Sequence, residues 1–307
     1  MGPFVVRRLL TVLLIVPVIT LLVFSMRVLV PGDPVEIMFM GQSADRATIE
    51  RVRRELGWDR PLTVQYAEYV GRLVQGDFGR SIQNNRPVAH DLRDRYPLTL
   101  LLAIASLALA TTIGLGLGVV AALQRERLLD AVATSLAVVG ISMPPFWLGL
   151  LLIGLVSVRW GLLPVMGAES WRHLVLPAFT LGILSAAAIA RLVRSSLLET
   201  LGQDFIRTAW AKGLPGHLVV AKHALRAALA PVLSVIGLQF GFMLSGAFIV
   251  EVVFAWHGVG ELAVIAIQTR DFPLIQGVVV TVAVTYVVIN AAVDLLGGWL
   301  DPRAASA

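Results

Sequence analysis

The sequence predicts an all-α, polytopic membrane protein, and three observations lead to that fold class. Apolar residues make up 57% of the 307 residues and charged residues only 15%, with a mean hydropathy of +0.81. Uncharged runs long enough to cross a bilayer as helices recur along the chain. The basic residues stand mostly at the ends of these runs, so the pI near 10.2 indicates membrane orientation and not nucleic-acid binding.

Six of these runs are predicted to be transmembrane helices. They are residues 9–26, 98–123, 131–158, 173–190, 227–250 and 273–293. The first run could instead be a signal peptide. It is longer than a usual signal core, lacks a clear small-residue cleavage site and precedes further spans, so we predict a retained helix.

Charge predicts the orientation, with both the N and the C terminus in the cytoplasm. The short segments on that side then carry most of the basic residues, whereas the two short outer loops hold only Arg159, Arg172 and Arg270. Four regions follow from this topology. They are a cytoplasmic N-terminus with the first span (1–30), an extracytoplasmic helical region (31–97), a five-helix core that includes the basic loop 191–226 (98–300), and a cytoplasmic tail (301–307).

The loop 191–226 contains the most basic short segment between two very apolar ones, and its first part is predicted to be an amphipathic helix. Asp204 is the expected N-cap and Gly213 the expected left-handed stop. At about 100° per residue the two faces are Phe205, Ile206, Ala209 and Trp210 on one side, and Asp204, Arg207, Thr208, Ala211 and Lys212 on the other. Pro215 is expected to begin a second helix that runs toward Pro231. The loop either docks into a partner or is an ordinary positively charged loop that binds nothing.

Proline and glycine patterns mark other features of the spans. The third run is broken by Ser142, Met143, Pro144, Pro145 and Phe146. Two adjacent prolines leave backbone carbonyls without a hydrogen bond inside the helix. The break is either a simple kink or a place where the backbone lines the substrate path. In the second case the path residues are Ser142, Pro144, Pro145 and Phe146. Gly114 and Gly118 form a GxxxG pattern that predicts close helix packing, and Gly237, Gly241 and Ser245 form a stripe suited to tight contact with a helix of this chain or of a partner.

Several kinds of chemistry have no motif in this sequence. Lys212 is followed by Gly and Lys222 by His, and there are no other lysines, so a nucleotide-binding GxxxxGK[ST] loop is excluded. No cysteine is present, and the five histidines are scattered, so no metal site is expected. The spans contain almost no ionisable residue except Asp294, for which structural anchoring is favoured over proton relay. The energy for transport is therefore expected from outside the chain, and the alternatives are an ion-coupled carrier working alone or a membrane scaffold.

Three stretches resemble one family closely. RTAWAKG followed by KHALRAALAPV resembles the cytoplasmic loop of permease subunits of ATP-binding-cassette (ABC) importers, and in particular those that carry dipeptides, oligopeptides, glutathione or nickel. GDP, LGWDRPL and GDFGRSI in region 31–97, and the segment from Glu251 to Arg303, resemble the same family. Arg207 and Thr208 stand where the general importer motif has Glu and Ala, a departure typical of the peptide branch.

The resemblance implies a type I ABC importer permease fold in a bacterial plasma membrane. It implies that the coupling helix, residues 204–213, docks into an ATPase subunit, with ATP and Mg bound by partner subunits and no cofactor in this chain. The implied partners are a homologous second permease, two ATPase subunits and an extracytoplasmic binding protein. Region 31–97 is either a surface that contacts this binding protein or a solvated cap with no partner. The implied outer gate loop contains Glu251, Phe254, Trp256, Gly258 and Gly260, with the two glycines as bends and Trp256 as an interfacial anchor. The substrate stays open among dipeptides, longer peptides, glutathione and other small solutes such as nickel, although ISMPPFWLG looks closer to glutathione-type relatives.

Overall fold

A computed structural model describes residues 2–29, 45–55, 57–125 and 143–300. Their regular structure is helical, apart from an isolated β-bridge between Arg80 and Pro87. The N-terminal helices are α1 (Gly2–Leu29), α2 (Arg46–Glu55), α3 (Leu62–Val74), α4 (Val88–Leu123) and α5 (Pro145–Leu152), the last continuing as a π-helix over Ile153–Arg159. The C-terminal helices are α6 (Trp171–Leu201), α7 (Asp204–Ala211), α8 (Gly216–Leu218), α9 (Leu225–Val253), α10 (Val259–Gln268) and α11 (Phe272–Leu300), with a π-helix over Val219–Ala224 joining α8 to α9.

Four helices in the described part of the chain are long and apolar enough to cross a membrane. They are Val88–Leu123, Trp171–Leu201, and the stretches Pro231–Val253 of α9 and Phe272–Val293 of α11. Shorter apolar helices cover Leu10–Met26, Pro145–Arg159 and Val259–Gln268. These helices match five of the six predicted runs closely. The first half of the third run, the side chain of Asp294 and the tail 301–307 lie outside the described residues.

The chain divides into two compact units. The first unit comprises Met1–Val6, Leu98–His257 and Ile289–Ala307, and the second comprises Arg7–Pro97 and Gly258–Val288. The candidate coupling helix belongs to the first unit, and the predicted extracytoplasmic region 31–97 belongs to the second.

The first unit is organised around α6. Small residues recur along this helix, and many of them are buried; they include Ala178, Gly182, Ser185, Ala186, Ala187 and Ala190. Small side chains let neighbouring helices approach closely. Close van der Waals packing of this kind holds membrane helices together, because lipid tails are as apolar as the side chains and provide no hydrophobic driving force. The surrounding core contains fully buried Leu102, Leu181, Ile189 and Met243.

The predicted GxxxG packing of α4 is confirmed, and the partner helix is α6. A methyl group added at Gly114 would lie 2.8 Å from Cβ of Ile189, and one at Gly118 would lie 2.6 Å from Cβ of Val193 and 2.7 Å from the Ala190 carbonyl oxygen. All three distances are shorter than real Cβ contacts, so only glycine fits at these two positions.

The small-residue stripe of α9 has its partner inside this chain at one position. Gly237 lies so close to Val293 of α11 that a Cβ there would overlap the valine methyl groups. The sequence left open whether this stripe faces the chain itself or a partner, and the structure places Gly237 against the chain itself.

The second unit is held together by polar contacts between segments that are distant in sequence. Asp271 is fully buried, its Oδ2 accepts a 2.5 Å hydrogen bond from Ser81 Oγ, and its Oδ1 accepts the Leu274 N–H at 3.2 Å. Asp271 therefore caps the N-terminus of α11 and ties it to the turn that follows α3. Arg95 adds a 2.7 Å ion pair with Glu261 of α10.

Candidate functional site

The candidate coupling helix α7 exists as predicted, but its buried face is narrower than the sequence suggested. Ile206 and Ala209 are buried, with 1% and 6% of their surface exposed. Phe205 and Trp210, which the sequence placed on the same face, are 44% and 50% exposed. The reason is geometric, because a two-turn helix lying on a surface can bury only the residues along one narrow line, and Phe205 and Trp210 flank that line.

The buried face of α7 belongs to a cluster that includes residues of three longer helices. Ile206 and Ala209 share one cluster with residues near the ends of α4 and α6, in the π-helical segment Val219–Ala224 and at the start of α9. These are Ala122, Leu197, Val219, Ala224 and Ala228, with Val119, Leu198, Leu201 and Leu214 at the margin. From its position between the fourth and fifth predicted spans, this helix was expected beside those two spans, and the contribution of Val119 and Ala122 was missed. The signal for Ala122 was present, since it continues the small-residue spacing of Gly114 and Gly118 by one more turn.

The start of α7 differs from the prediction. Gln203, with extended backbone, occupies the N-cap position, and Asp204 is the first helical residue. The Asp204 carboxylate makes a 3.3 Å ion pair with Arg207, and both side chains are largely exposed. An acid in the first turn still suits the positive end of the helix dipole, although an exposed pair of this kind contributes little to stability.

The end of α7 is a Schellman motif centred on Gly213, which confirms the predicted left-handed stop. Gly213 has φ +73°, its N–H bonds the Trp210 carbonyl at 2.9 Å, and the Leu214 N–H bonds the Ala209 carbonyl at 3.4 Å. A side chain at Gly213 would meet no atom within 4 Å. The position therefore requires glycine for its backbone conformation and not for space.

Substitutions of Gly213 test whether the position needs glycine for its positive φ. We expect Gly213→Val to destabilise the end of α7 by about 1–2 kcal/mol and to lower transport several-fold, because a β-branched residue strongly disfavours positive φ. Gly213→Asn should keep most of the transport rate, since asparagine tolerates the left-handed region. Transport rates of both variants at equal membrane levels test this. Equal loss in both variants would contradict the backbone argument.

The outward surface of α7 combines exposed rings with a basic rim. Trp210 packs its ring edge against Gly216, where an added Cβ would lie 3.1 Å from the ring. Phe205, Arg207 and Lys212 are exposed around it. Exposed aromatic side chains beside positive charge form the kind of surface that buries into a complementary groove of another protein.

The segment after α7 leads into α9 as one almost continuous helix. Pro215 is the N-cap of α8, and the helix continues through the π-helical segment Val219–Ala224 into α9. Pro231 lies inside α9. The prediction of a helix starting near Pro215 and running toward Pro231 is confirmed, and Pro231 lies within the helix of the fifth predicted run, 227–250, where a proline in a well-packed helix is tolerated.

The proline pair lies at a helix start. Pro144, with ψ 134°, is the N-cap of α5, and Pro145 is its first residue, the position where a missing N–H costs nothing. Phe146 is 46% exposed. Ser142 lies outside the described residues.

The candidate gate residues of the first unit are buried. Glu251 is fully buried at the end of α9 and accepts a 2.6 Å hydrogen bond from Thr99 Oγ1. The Trp256 indole N–H donates to the Leu98 carbonyl at 3.0 Å, and only 1% of this side chain is exposed. Trp256 is thus a core residue and not the predicted interfacial anchor. Phe254 is also buried, and its ring lies against Gly149 of α5, 3.0 Å from where a Cβ would stand.

The two gate glycines lie in the second unit and differ from the prediction of two bends. Gly258 is the N-cap of α10 with extended backbone, and Gly260 lies within that helix. The stretch expected as a loop between residues 251 and 271 is therefore largely helical. In the described parts of the chain, no group of three or more His, Cys, Asp or Glu side chains could hold a metal ion.

Comparison with known sequences identifies two matching families. Residues 114–306 match "Binding-protein-dependent transport system inner membrane component", and residues 1–103 match the N-terminal region of such membrane components. The glutathione transport system permease protein GsiC of Escherichia coli is 43% identical over 299 residues, covering 97% of both chains. The protein of the same name from Salmonella typhi is also 43% identical over the same coverage.

Comparison with solved structures gives the same fold. The inward-facing MetNI methionine ABC transporter superposes with a TM-score of 0.59 at 21% identity, covering 68% of this chain and 96% of that one. An amino acid ABC transporter crystallised with histidines gives a TM-score of 0.52 at 19% identity, covering 69% and 94%. At these identities the likeness concerns the fold alone.

Proposed function

Because this chain belongs to the family of binding-protein-dependent inner membrane transport components, we propose that it forms half of the path for short peptides in an ATP-driven importer. Glutathione is the first candidate substrate. The identity of 43% across 97% of both chains with a glutathione permease supports this assignment. Dipeptides, longer peptides and nickel are the remaining candidates within the same branch.

The surface of α7 is proposed as the docking site for the ATPase subunit. Phe205 and Trp210 would enter a groove of the partner, and Arg207 and Lys212 would contact its rim, with Asp204, Thr208, Ala211 and Gly213 completing the segment. The supporting observation is the division of α7 into a buried line, Ile206 and Ala209, and an exposed aromatic and basic surface.

The packing of α7 suggests how force applied there reaches the spans. Because Ile206 and Ala209 share one cluster with residues of α4, α6 and α9, a displacement of α7 acts on three helices at once. ATP binding and hydrolysis in the partner would then shift the path between its inward and outward openings. ATP and Mg would be bound by the ATPase subunits and not by this chain.

The complete assembly is proposed to contain six spans from this chain, with both termini in the cytoplasm of a bacterial cell. A homologous second permease, two ATPase subunits and an extracytoplasmic binding protein would complete it. The segment from Ser142 to Phe146 would border the path. The Thr99–Glu251 and Trp256–Leu98 hydrogen bonds would make the end of α9 move together with α4 when the outer gate opens.

Reconstitution in proteoliposomes tests this function against an ion-coupled carrier. The complete importer with binding protein and ATP should accumulate labelled glutathione or dipeptides, whereas this chain alone should transport neither under a proton or sodium gradient. Nickel uptake under the same conditions discriminates the metal alternative. Gradient-driven uptake by the chain alone, or ATP hydrolysis by the purified chain, would refute the proposal.

A further inference from the structure

A cavity in the second unit borders the first and the last predicted spans, and we call it the apolar cavity. It lies between α1, α3, the start of α4 and α11, and its volume is about 510 Å³, within the range of sites that bind small molecules. Val16 of α1, Val70 and Val74 of α3 and Val284 of α11 are among the residues that line it. In the described part of the chain, no charged side chain and none of the candidate coupling, path or gate residues lines it.

The apolar cavity lies at the depth of the membrane interior. Pro17 is near the middle of the apolar stretch Leu10–Met26 of α1, and Thr281 is near the middle of the span Phe272–Val293 of α11. Both residues line the cavity. At a rise of 1.5 Å per residue, Pro17 is about 13 Å along the helix axis from Met26. With α1 as the first span, the cavity is therefore level with lipid acyl chains and not with water.

Helix α3 reaches this depth, although the sequence placed the whole of region 31–97 outside the membrane. Tyr66 Oη donates a 3.2 Å hydrogen bond to the Pro17 carbonyl and lies 3.0 Å from Thr20 Oγ1. The Tyr66 ring also contacts the ring of Phe24 edge to face, with centroids 5.4 Å apart. These contacts lay α3 along the C-terminal half of α1, so one side of α3 lies within the bilayer.

The two sides of α3 have different surroundings. Glu68 and Arg72 are exposed and line a separate cleft that carries further charged side chains. Val70 and Val74 instead line the apolar cavity, where they meet Val16 of α1, and Val74 is 82% exposed. A helix with one charged and one apolar side is typical of a helix that lies in the membrane interface. The apolar side of α3 is therefore expected to face lipid.

The hydroxyl groups of the apolar cavity are mostly bonded within the chain. Thr20 Oγ1 and Tyr66 Oη bond each other, and Tyr96 Oη lies 2.5 Å from Thr285 Oγ1. Four of the five hydroxyl groups that line the cavity are used in this way. A polar ligand would lose its bonds to water without gaining new ones, which is costly. The occupant is therefore apolar.

The size of the apolar cavity discriminates between apolar occupants. One turn of an α-helix about 10 Å across and 5.4 Å tall needs about 400 Å³, so the cavity cannot admit a span of a partner subunit along its length. A lipid acyl chain is narrow and flexible, and lipid acyl chains surround spans at this depth.

We propose that the apolar cavity holds an acyl chain of a membrane phospholipid, with α3 lying in the interfacial layer of the leaflet in which α1 ends. The permease would thus bind one lipid between its first span, its last span and the helix α3. This inference goes beyond the proposed function and does not depend on which substrate is transported.

Photo-crosslinking with a modified lipid tests this site. The permease is placed in nanodiscs of phosphatidylcholine that include a phosphatidylcholine with a diazirine group in one acyl chain. The measurement is made on the permease alone and on the permease assembled with the second permease and the ATPases. Trypsin cleaves after Arg72 and Arg80 and releases residues 73–80 as one peptide. This peptide contains Leu73, Val74 and Phe78, which line the cavity, so we expect it to carry lipid adducts in both samples.

Two further tryptic peptides calibrate the adducts. Peptide 9–27 of α1 contains Leu13 and Leu14, which are 67% and 70% exposed, and should be labelled strongly. Peptide 47–51 of α2 belongs to a polar helix and should not be labelled.

A variant that fills the cavity separates it from the outer surface of α3. Val284→Trp places a large ring in the apolar cavity, so we expect adducts on peptide 73–80 to fall at least about fivefold relative to those on peptide 9–27. Val288→Trp is the matched control, because Val288 lies one turn further along α11, is 53% exposed and does not line the cavity. This variant should leave the adducts on peptide 73–80 unchanged.

Three outcomes would overturn the inference. The first is labelling of peptide 9–27 without labelling of peptide 73–80. The second is labelling of peptide 73–80 in the isolated permease that disappears on assembly, since a partner subunit would then cover the cavity. The third is labelling that Val284→Trp leaves unchanged, since lipid would then contact only the outside of α3. Equal melting temperatures show that both tryptophan variants fold, and the first two outcomes are decided on the unmodified chain. Uptake in proteoliposomes decides the proposed function separately.

Discussion

Replacing Trp210 with aspartate is expected to abolish ATP-driven uptake while leaving the permease folded in the membrane. Half of the Trp210 side chain is exposed, so its loss removes little packing within the chain. If that ring docks into the ATPase groove, the substitution replaces an aromatic anchor by a charge in a desolvated interface, at a cost of about 2–4 kcal/mol or more in binding. The measurement is co-purification of the ATPase subunits with the permease, together with uptake.

Two controls give this result its meaning. Trp210→Phe should retain most of the docking, because it keeps an apolar ring. Trp171→Asp makes the same chemical change at a 74% exposed tryptophan at the start of α6, at the other end of the helix from α7, and should leave ATPase association unchanged. Normal ATPase association and uptake in Trp210→Asp would refute the docking role of α7.

Replacing Gly118 with leucine is expected to prevent stable folding of the first unit. Even a Cβ at this position would lie 2.7 Å from the Ala190 carbonyl oxygen, and backbone atoms of α6 cannot move aside as a flexible side chain can. Overpacking of a core usually costs about 1–3 kcal/mol, and separating two helices along a shared contact should exceed that range. The measurements are the yield of monodisperse protein in detergent and its melting temperature.

Gly116→Leu is the matched control for this prediction. Gly116 lies on the same helix two residues away, and a Cβ there meets nothing within 4 Å. Both substitutions change helix propensity equally, so any difference between them reports the contact with α6. Equal behaviour of the two variants would mean that α4 and α6 do not pack as the structure shows.

Features of the fold and the candidate site that depend on neighbouring residues in the sequence were predicted correctly. The stop at Gly213 was predictable, because a left-handed residue after an amphipathic turn strongly favours glycine. The packing of Gly114 and Gly118 was predictable for a similar reason, since spacing alone places both on one face of a helix.

Burial that depends on distant segments was not predictable. Nothing in residues 204–213 tells Ile206 from Phe205, because the choice is made by Ala122, Leu197 and Val219 from other helices. Trp256 was expected at the membrane interface because of its residue type. It is buried instead, and its indole N–H donates a hydrogen bond to the carbonyl of Leu98, 158 residues away. The helix over Val259–Gln268 was missed because Gly258 and Gly260 were interpreted as bends, whereas a helix tolerates one glycine at its start and another inside.

The π-helical segment Val219–Ala224 has a consequence for how related permeases can differ in length. A π-turn contains more residues than an α-turn, so a π-bulge is the trace of an extra residue accommodated inside a continuous helix. Deletion of one residue there would convert the π-turn into an α-turn, and the change in backbone structure would be confined to that turn. Insertions and deletions among homologues should therefore collect in this short stretch, while the number of residues between Gln203 and Gly213 stays constant.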